Sequence, residues 1–163
     1  MRDMPPGTRT KVYGPQYMSE SFSVSGEVAN PRSFSYDELL CRPRVTVEGF
    51  VILCGSGKVK DSPRTLSGVL LRDILDEASV RLDEHEDPNL TYIVATGNDG
   101  YRALFSWHEL WNGPAGDGVI VVLEKDGKPL GEGEGRLCLV STKDERPGPR
   151  RVRYLSSVEV RKI

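Results

Sequence analysis

Residues 44–57 run Arg44-Val45-Thr46-Val47-Glu48-Gly49-Phe50-Val51-Ile52-Leu53-Cys54-Gly55-Ser56-Gly57. Val45, Val47, Val51 and Leu53 share one face, with Phe50 and Ile52 on the other near the end. That period of two predicts a long strand from Arg44 to Leu53, buried on both sides at its carboxyl end. Cys54 closes the strand, and Gly55-Ser56-Gly57 opens a polar loop reaching about Thr65. The segment therefore delivers a thiol from a buried strand into a glycine-rich turn.

Working outward, Ser67 is placed to cap a helix in which Leu71, Ile74, Leu75 and Ala78 recur at one-stripe spacing. On the amino-terminal side, Phe22, Val24, Gly26 and Val28 alternate with polar residues as a first strand, and Asn30-Pro31 turns the chain. Ser35 with Glu38 is a capping box that starts a short helix with Leu39 and Leu40 inward. Arg81 to Asn89 reads as an acidic surface link. Tyr92 to Thr96 and Tyr101 to Phe105 flank Asn98-Asp99-Gly100, the signature of a hairpin. Ser106 with Glu109 caps a second short helix through Trp111. Val119 to Leu123 is a continuous apolar strand, turned back at Asp126-Gly127, and Arg136 to Val140 and Val158 to Val160 supply further strands. Short helices and hairpin-joined strands in irregular order predict an α+β fold with mixed sheets, because a parallel α/β wind would alternate its elements regularly. Residues 1–20, rich in Pro, Gly and polar side chains, are read as an extended amino-terminal arm, and 21–163 as the domain.

A chain of 163 residues is long enough to bury about 68–70% of its unfolded surface, so its core needs no disulfides. Three cysteines without C-x-x-C spacing argue against a disulfide framework and a structural zinc. A net charge of −2 gives no field that would draw nucleic acid, and no apolar run approaches a membrane span. The start carries no apolar signal core, which predicts a soluble protein, cytoplasmic unless a removed signal took it to the periplasm. Gly55-Ser56-Gly57-Lys58 lacks the leading glycine and the Ser/Thr of a phosphate-binding P-loop, and G-x-S-x-G is absent.

Three constellations remain. Cys54 admits two readings, a small buried packing residue or a soft thiolate ligand to a metal, with the glycines letting other groups approach the backbone. The loop Arg146-Pro147-Gly148-Pro149-Arg150-Arg151-Val152-Arg153 is either a solvated basic turn or a phosphate pocket built from guanidinium forks. Asp99-Gly100-Tyr101 is explained as a turn without any function. His108 lacks a triad or ligand partner at recognisable spacing and reads as a satisfied helix residue. The glutamates alternating through Gly131 to Gly135 read as repelling phosphate.

Taken in order, the motifs resemble the molybdopterin-binding domain of the sulfite oxidase family. The resemblance rests on Val24 to Pro31, Phe34 to Leu40, Val51-Ile52-Leu53-Cys54, Gly68-Val69-Leu70-Leu71 with Ile74-Leu75, Asp99-Gly100-Tyr101, Lys125 to Leu130, and Gly148 to Leu155. It implies a sulfite-oxidase-type fold and an oxidoreductase using molybdopterin, the molybdenum cofactor, with molybdenum held by pterin sulfurs and the Cys54 thiolate. It further implies that Gly55, Ser56, Asp99, Gly148, Arg150 and Arg153 contact the cofactor and that Tyr101 lies near the metal's open position. The expected partners are a small-molecule substrate or anion and a redox protein. The Gly-Ser-Gly-Lys after Cys54 departs from the family's arginine-bearing sequence there, so sulfite is disfavoured as substrate. The departure also leaves a second reading, a non-catalytic module on the same fold that binds a small anion or a partner protein.

Overall fold

A computed structural model describes residues 15–53, 56–62 and 65–163. After a single 3-10 turn at Pro15–Tyr17, β1 (Ser21–Gly26) and β2 (Arg32–Ser35) form a hairpin, and α1 (Tyr36–Leu40) follows directly. The expected capping box is present, with the Ser35 hydroxyl accepting from the Glu38 amide and the Glu38 carboxylate accepting from the Ser35 amide. Next come β3 (Val45–Glu48), β4 (Ile52–Leu53), β5 (Val59–Asp61), β6 (Thr65–Leu70), α2 (Leu71–Ala78) and α3 (Asp87–Leu90). The chain continues through β7 (Thr91–Gly97), β8 (Arg102–Ser106), α4 (Trp107–Trp111), β9 (Val119–Lys125), β10 (Lys128–Pro129), β11 (Cys138–Ser141) and β12 (Leu155–Lys162).

Two five-stranded sheets carry the fold. The first has the order β2-β1-β12-β7-β8, with β12 parallel to β1 and antiparallel to β7. The second runs β10-β9-β6-β3, with β11 also on β9. A parallel pair cannot be closed by a tight turn, and here the connection between β1 and β12 is nearly the whole domain. The main core lies where Phe22, Val24, Ile93, Phe105, Val158 and Val160 of the first sheet meet Val69, Val119, Val121 and Leu123 of the second, with Leu71, Ile74 and Leu75 of α2. Ile120 and Val122 face the other way, into a smaller cluster with Phe50, Leu66, Leu130, Cys138 and Val140. Burial on both faces is why β9 reads as an unbroken apolar run instead of an alternating one.

Three expectations need correction. The strand from Arg44 to Leu53 is broken: Gly49, at φ +60°, takes a backbone conformation that favours glycine and separates β3 from β4. Val51 beyond the break is exposed rather than buried. Ser67 does not cap α2, because it lies inside β6, paired with Glu124 of β9; Leu70 occupies the N-cap with no side-chain bond. The sequence reading ends the polar loop at about Thr65 and begins a helix after Ser67, whereas Thr65–Leu70 form one strand hydrogen-bonded between β9 and β3. Finally, the acidic link 81–89 holds α3, and Asp87 within it is buried, accepting from the amides of Asp83 (2.8 Å) and Glu84 (3.0 Å) and pairing with Lys162 at the end of β12.

Two tests follow from these packing facts. A methyl group built on Gly68 would lie 2.1 Å from the Val121 carbonyl oxygen, backbone that has no route of escape. Gly68→Ala is expected to cost about 3 kcal/mol in urea unfolding. The Lys162 ammonium, then the Glu84 amide, hold the Asp87 carboxyl below its usual value. A depressed carboxyl stabilises the fold above its unfolded pKa and loses that contribution as pH falls through the folded one. The melting-temperature gap between wild type and Asp87→Asn should therefore be widest near neutrality and narrow below about pH 4.

Candidate functional site

The β7–β8 hairpin turns through Asn98 to Tyr101. Gly100 sits at φ +80°, its amide donating to Gly97 O at 2.9 Å, and Asp99 Oδ1 accepts from the Tyr101 amide at 3.0 Å. The aspartate thus shapes the turn with its own side chain, the ordinary use of Asp there. The turn is also docked. A methyl group on Gly97 would strike the Arg153 carbonyl oxygen at 2.2 Å, the Asn98 amide donates to Tyr154 O at 2.8 Å, and Tyr101 Oη donates to Pro149 O at 2.5 Å. Asp99, Tyr101, Gly148, Arg150 and Arg153 are accordingly brought together on one side of the domain.

The partner segment begins with a 3-10 turn at Gly148–Arg150 and is held by several backbone contacts. Val152 exchanges two hydrogen bonds with Leu139 of β11 (2.8 and 2.9 Å), and Tyr154 N donates to Glu134 O at 3.0 Å. Tyr154 adopts φ +54°, uncommon for an aromatic residue, with its hydroxyl donating to Glu132 O at 2.5 Å. Tyr17 packs against it with the rings tilted by 55° and their centroids 6.0 Å apart, and Asn98 Nδ2 donates to Tyr17 O at 2.7 Å.

The arginines of this segment have unlike surroundings. Arg150 donates Nε and Nη2 to the two oxygens of Asp144 (2.8 and 2.7 Å), and Nη1 to Glu109 Oε2 (2.9 Å) and Leu104 O (3.0 Å). Its guanidinium also lies 4.4 Å from the centroid of the buried Phe105 ring. Burial opposes the charge on Asp144, but Arg150 and the Ser141 hydroxyl together hold its carboxyl below the usual value. Arg151 is mostly enclosed and pairs with Glu134 at 2.9 Å; its Nε is buried without a hydrogen-bond partner. It neighbours the fully buried Cys138, whose thiol burial pushes upward, against the pull of Arg151. Arg153 donates to Gly133 O at 3.3 Å. Glu134 is thus part of a cationic assembly with Arg151 and Lys125 and is no bare repulsive charge, contrary to the sequence reading. Sequence gave no signal for the Arg150–Glu109 and Arg151–Glu134 pairs, because each joins segments that only tertiary folding makes neighbours.

Cys54 and Gly55 lie outside the described residues; Ser56 beyond them is exposed, in the turn between β4 and β5. Among the described residues, no group of three His, Cys, Asp or Glu side chains is placed to hold a metal, and no helix is long and apolar enough to cross a membrane. His108 is satisfied as the sequence reading expects, its Nε2 with Asn89 Oδ1 at 2.7 Å and its Nδ1 with Asn112 Nδ2 at 2.9 Å.

Replacing Arg150 tests its place as a structural tie. Arg150→Met leaves Asp144 and Glu109 without their cation and should lower stability by about 2 kcal/mol in denaturant titration, less than for a fully buried pair because both carboxylates retain some solvent. Arg150→Lys should recover only part, since an ammonium cannot reproduce the two-pronged contact with Asp144.

Comparison with known proteins places this architecture. No curated protein sequence matches the chain. The crystal structure of the sulfane dehydrogenase SoxCD from Paracoccus pantotrophus superposes with a TM-score of 0.67 at 19% identity, over 86% of this chain and 37% of that one. The chain thus spans little more than a third of that neighbour, and the likeness establishes a shared fold, the α+β arrangement of the sulfite oxidase type. A model of the family described as the oxidoreductase molybdopterin binding domain matches residues 15–162, from the Pro15 turn to the last strand. The chain therefore belongs to the oxidoreductase molybdopterin-binding domain family, whose members bind molybdopterin.

Proposed function

We propose that this domain is the cofactor-bearing part of a molybdenum oxidoreductase, with the Cys54 thiolate as the protein ligand to the metal. The observation that supports it most is the docking of the Asp99–Tyr101 turn on the Gly148–Arg153 segment, through Tyr101 Oη and Pro149 O at 2.5 Å across 48 positions of sequence. Two motifs that the family resemblance assigns to one cleft are neighbours in space. The donor chemistry also fits. Guanidinium forks suit a phosphate-bearing pterin, and a thiolate suits a soft metal.

When bound, the group supplies oxygen-atom or electron transfer; the protein's part is to bind, orient and enclose. In this reading the Cys54 thiolate would hold the metal, while Gly55, Ser56 and Gly148 would let the group approach the backbone. Arg153, which donates to Gly133 O at 3.3 Å, would give the anionic end of the pterin a charge-assisted hydrogen bond. Arg150, with four donated bonds already made, fixes the cleft wall and leaves one N–H for the ligand. Asp99 holds the turn, and Tyr101 would lie near the metal's open position, where a small substrate would bind. The redox partner is another protein.

Protein made in a molybdenum-replete host should carry near-stoichiometric molybdenum and pterin by elemental and fluorescence analysis, and Cys54→Ser should lose most of the metal while keeping its melting temperature. Wild-type protein containing neither would overturn the proposal.

A further inference from the structure

Away from that cleft, a groove of about 250 Å³ opens between the end of α2 and one face of α4, lined by Asp76, Ser79, Val80, Leu82, Trp107 and Trp111. It is smaller than the roughly 300–1,000 Å³ of drug-sized ligand sites. Trp107 and Trp111, one helical turn apart, stack at 5.6 Å between centroids, and Trp111 Nε1 donates to Asp76 Oδ1 at 3.0 Å. The last turn of α2 carries no basic residue, although the carbonyl end of a helix favours cations. It carries two carboxylates instead. Glu77 is neutralised by Arg42 at 2.8 Å; Asp76 has the neutral indole as its side-chain partner among the described residues.

The groove is built before any ligand arrives. Ser79 caps α2 at φ +62°, its carbonyl accepting from the Ala29 amide at 2.8 Å, and Val80 bridges to Val28. On the other wall, the His108 ring meets Trp107 edge-on at 5.1 Å and is itself held by Asn89 and Asn112. We infer that this groove binds a small quaternary or alkyl ammonium ion, with Asp76 as counter-ion and the tryptophans as the aromatic surface. An indole face is the best aromatic partner for such a cation. Four of the six lining residues are apolar or aromatic, which suits methyl groups better than a heavily hydrated ammonium, and Asp76 Oδ2 supplies the charge.

These are the only two tryptophans in the sequence, so emission excited at the red edge of indole absorption, where tyrosine does not absorb, reports on the groove. Choline should change that emission saturably, and its uncharged isostere 3,3-dimethylbutan-1-ol should bind at least about tenfold more weakly. Asp76→Asn should weaken choline about tenfold or more, whereas Asp73→Asn, on an exposed position outside the groove, should not. A linear response to choline, or equal affinity for the isostere, overturns the inference. That comparison uses wild-type protein and so stands even if Asp76→Asn fails to fold.

Discussion

The pair of hydrogen bonds between Val152 and Leu139 joins the segment entering β12, the middle strand of the first sheet, to β11 on the second. Much else rests on this clasp. It fixes where residues 148–155 lie, and therefore which carbonyls await Tyr101 and Asn98 when the β7–β8 turn arrives. Because β12 also pairs in parallel with β1, the last strand closes contacts with the first across the length of the chain. Such long-range closure costs chain entropy before it returns contacts. The apolar side chains of β12, Val158 and Val160, enter the main core and supply the compensation.

The basic segment shows why counting charges is a poor guide to binding. Arg150 uses a rigid fork and an aromatic face to tie the β8–α4 corner to the loop before Gly148. Arg151 goes inward to Glu134 and the neighbourhood of Cys138. Arg153 makes a long bond to a carbonyl. Within this run of closely spaced arginines, Arg150 thus supports the outer wall and Arg151 makes an interior pair. Family membership supplies the cofactor class, and the geometry distinguishes the guanidiniums by the partners each already has.

Periodicity and cap chemistry made several elements legible at once. Both capping boxes form as Ser35–Glu38 and Ser106–Glu109 require, since the donors and acceptors lie within one turn of each other. The α2 stripe and the Asp99-Gly100 and Asp126-Gly127 turns are equally local. Sequence order alone also carried the family resemblance. The recruitment of Ser67 into β6 was not legible, because the same residues suit either outcome until β9 offers its edge, and neither was the break at Gly49, because alternation on both sides of it reads as one strand.

What the sequence by itself determined, then, was most of the elements, the caps of α1 and α4, the hairpin turns, and the residue types that suit a molybdopterin. Those properties depend on neighbours within a few positions. Only the tertiary structure decided that Glu109 and Asp144 occupy Arg150, that Glu134 draws Arg151 inward, that Asp87 is a buried anchor for Lys162, and that two tryptophans flank a carboxylate at the end of α2. Ion pairs and grooves join distant segments, and their partners are chosen by which faces the core brings together.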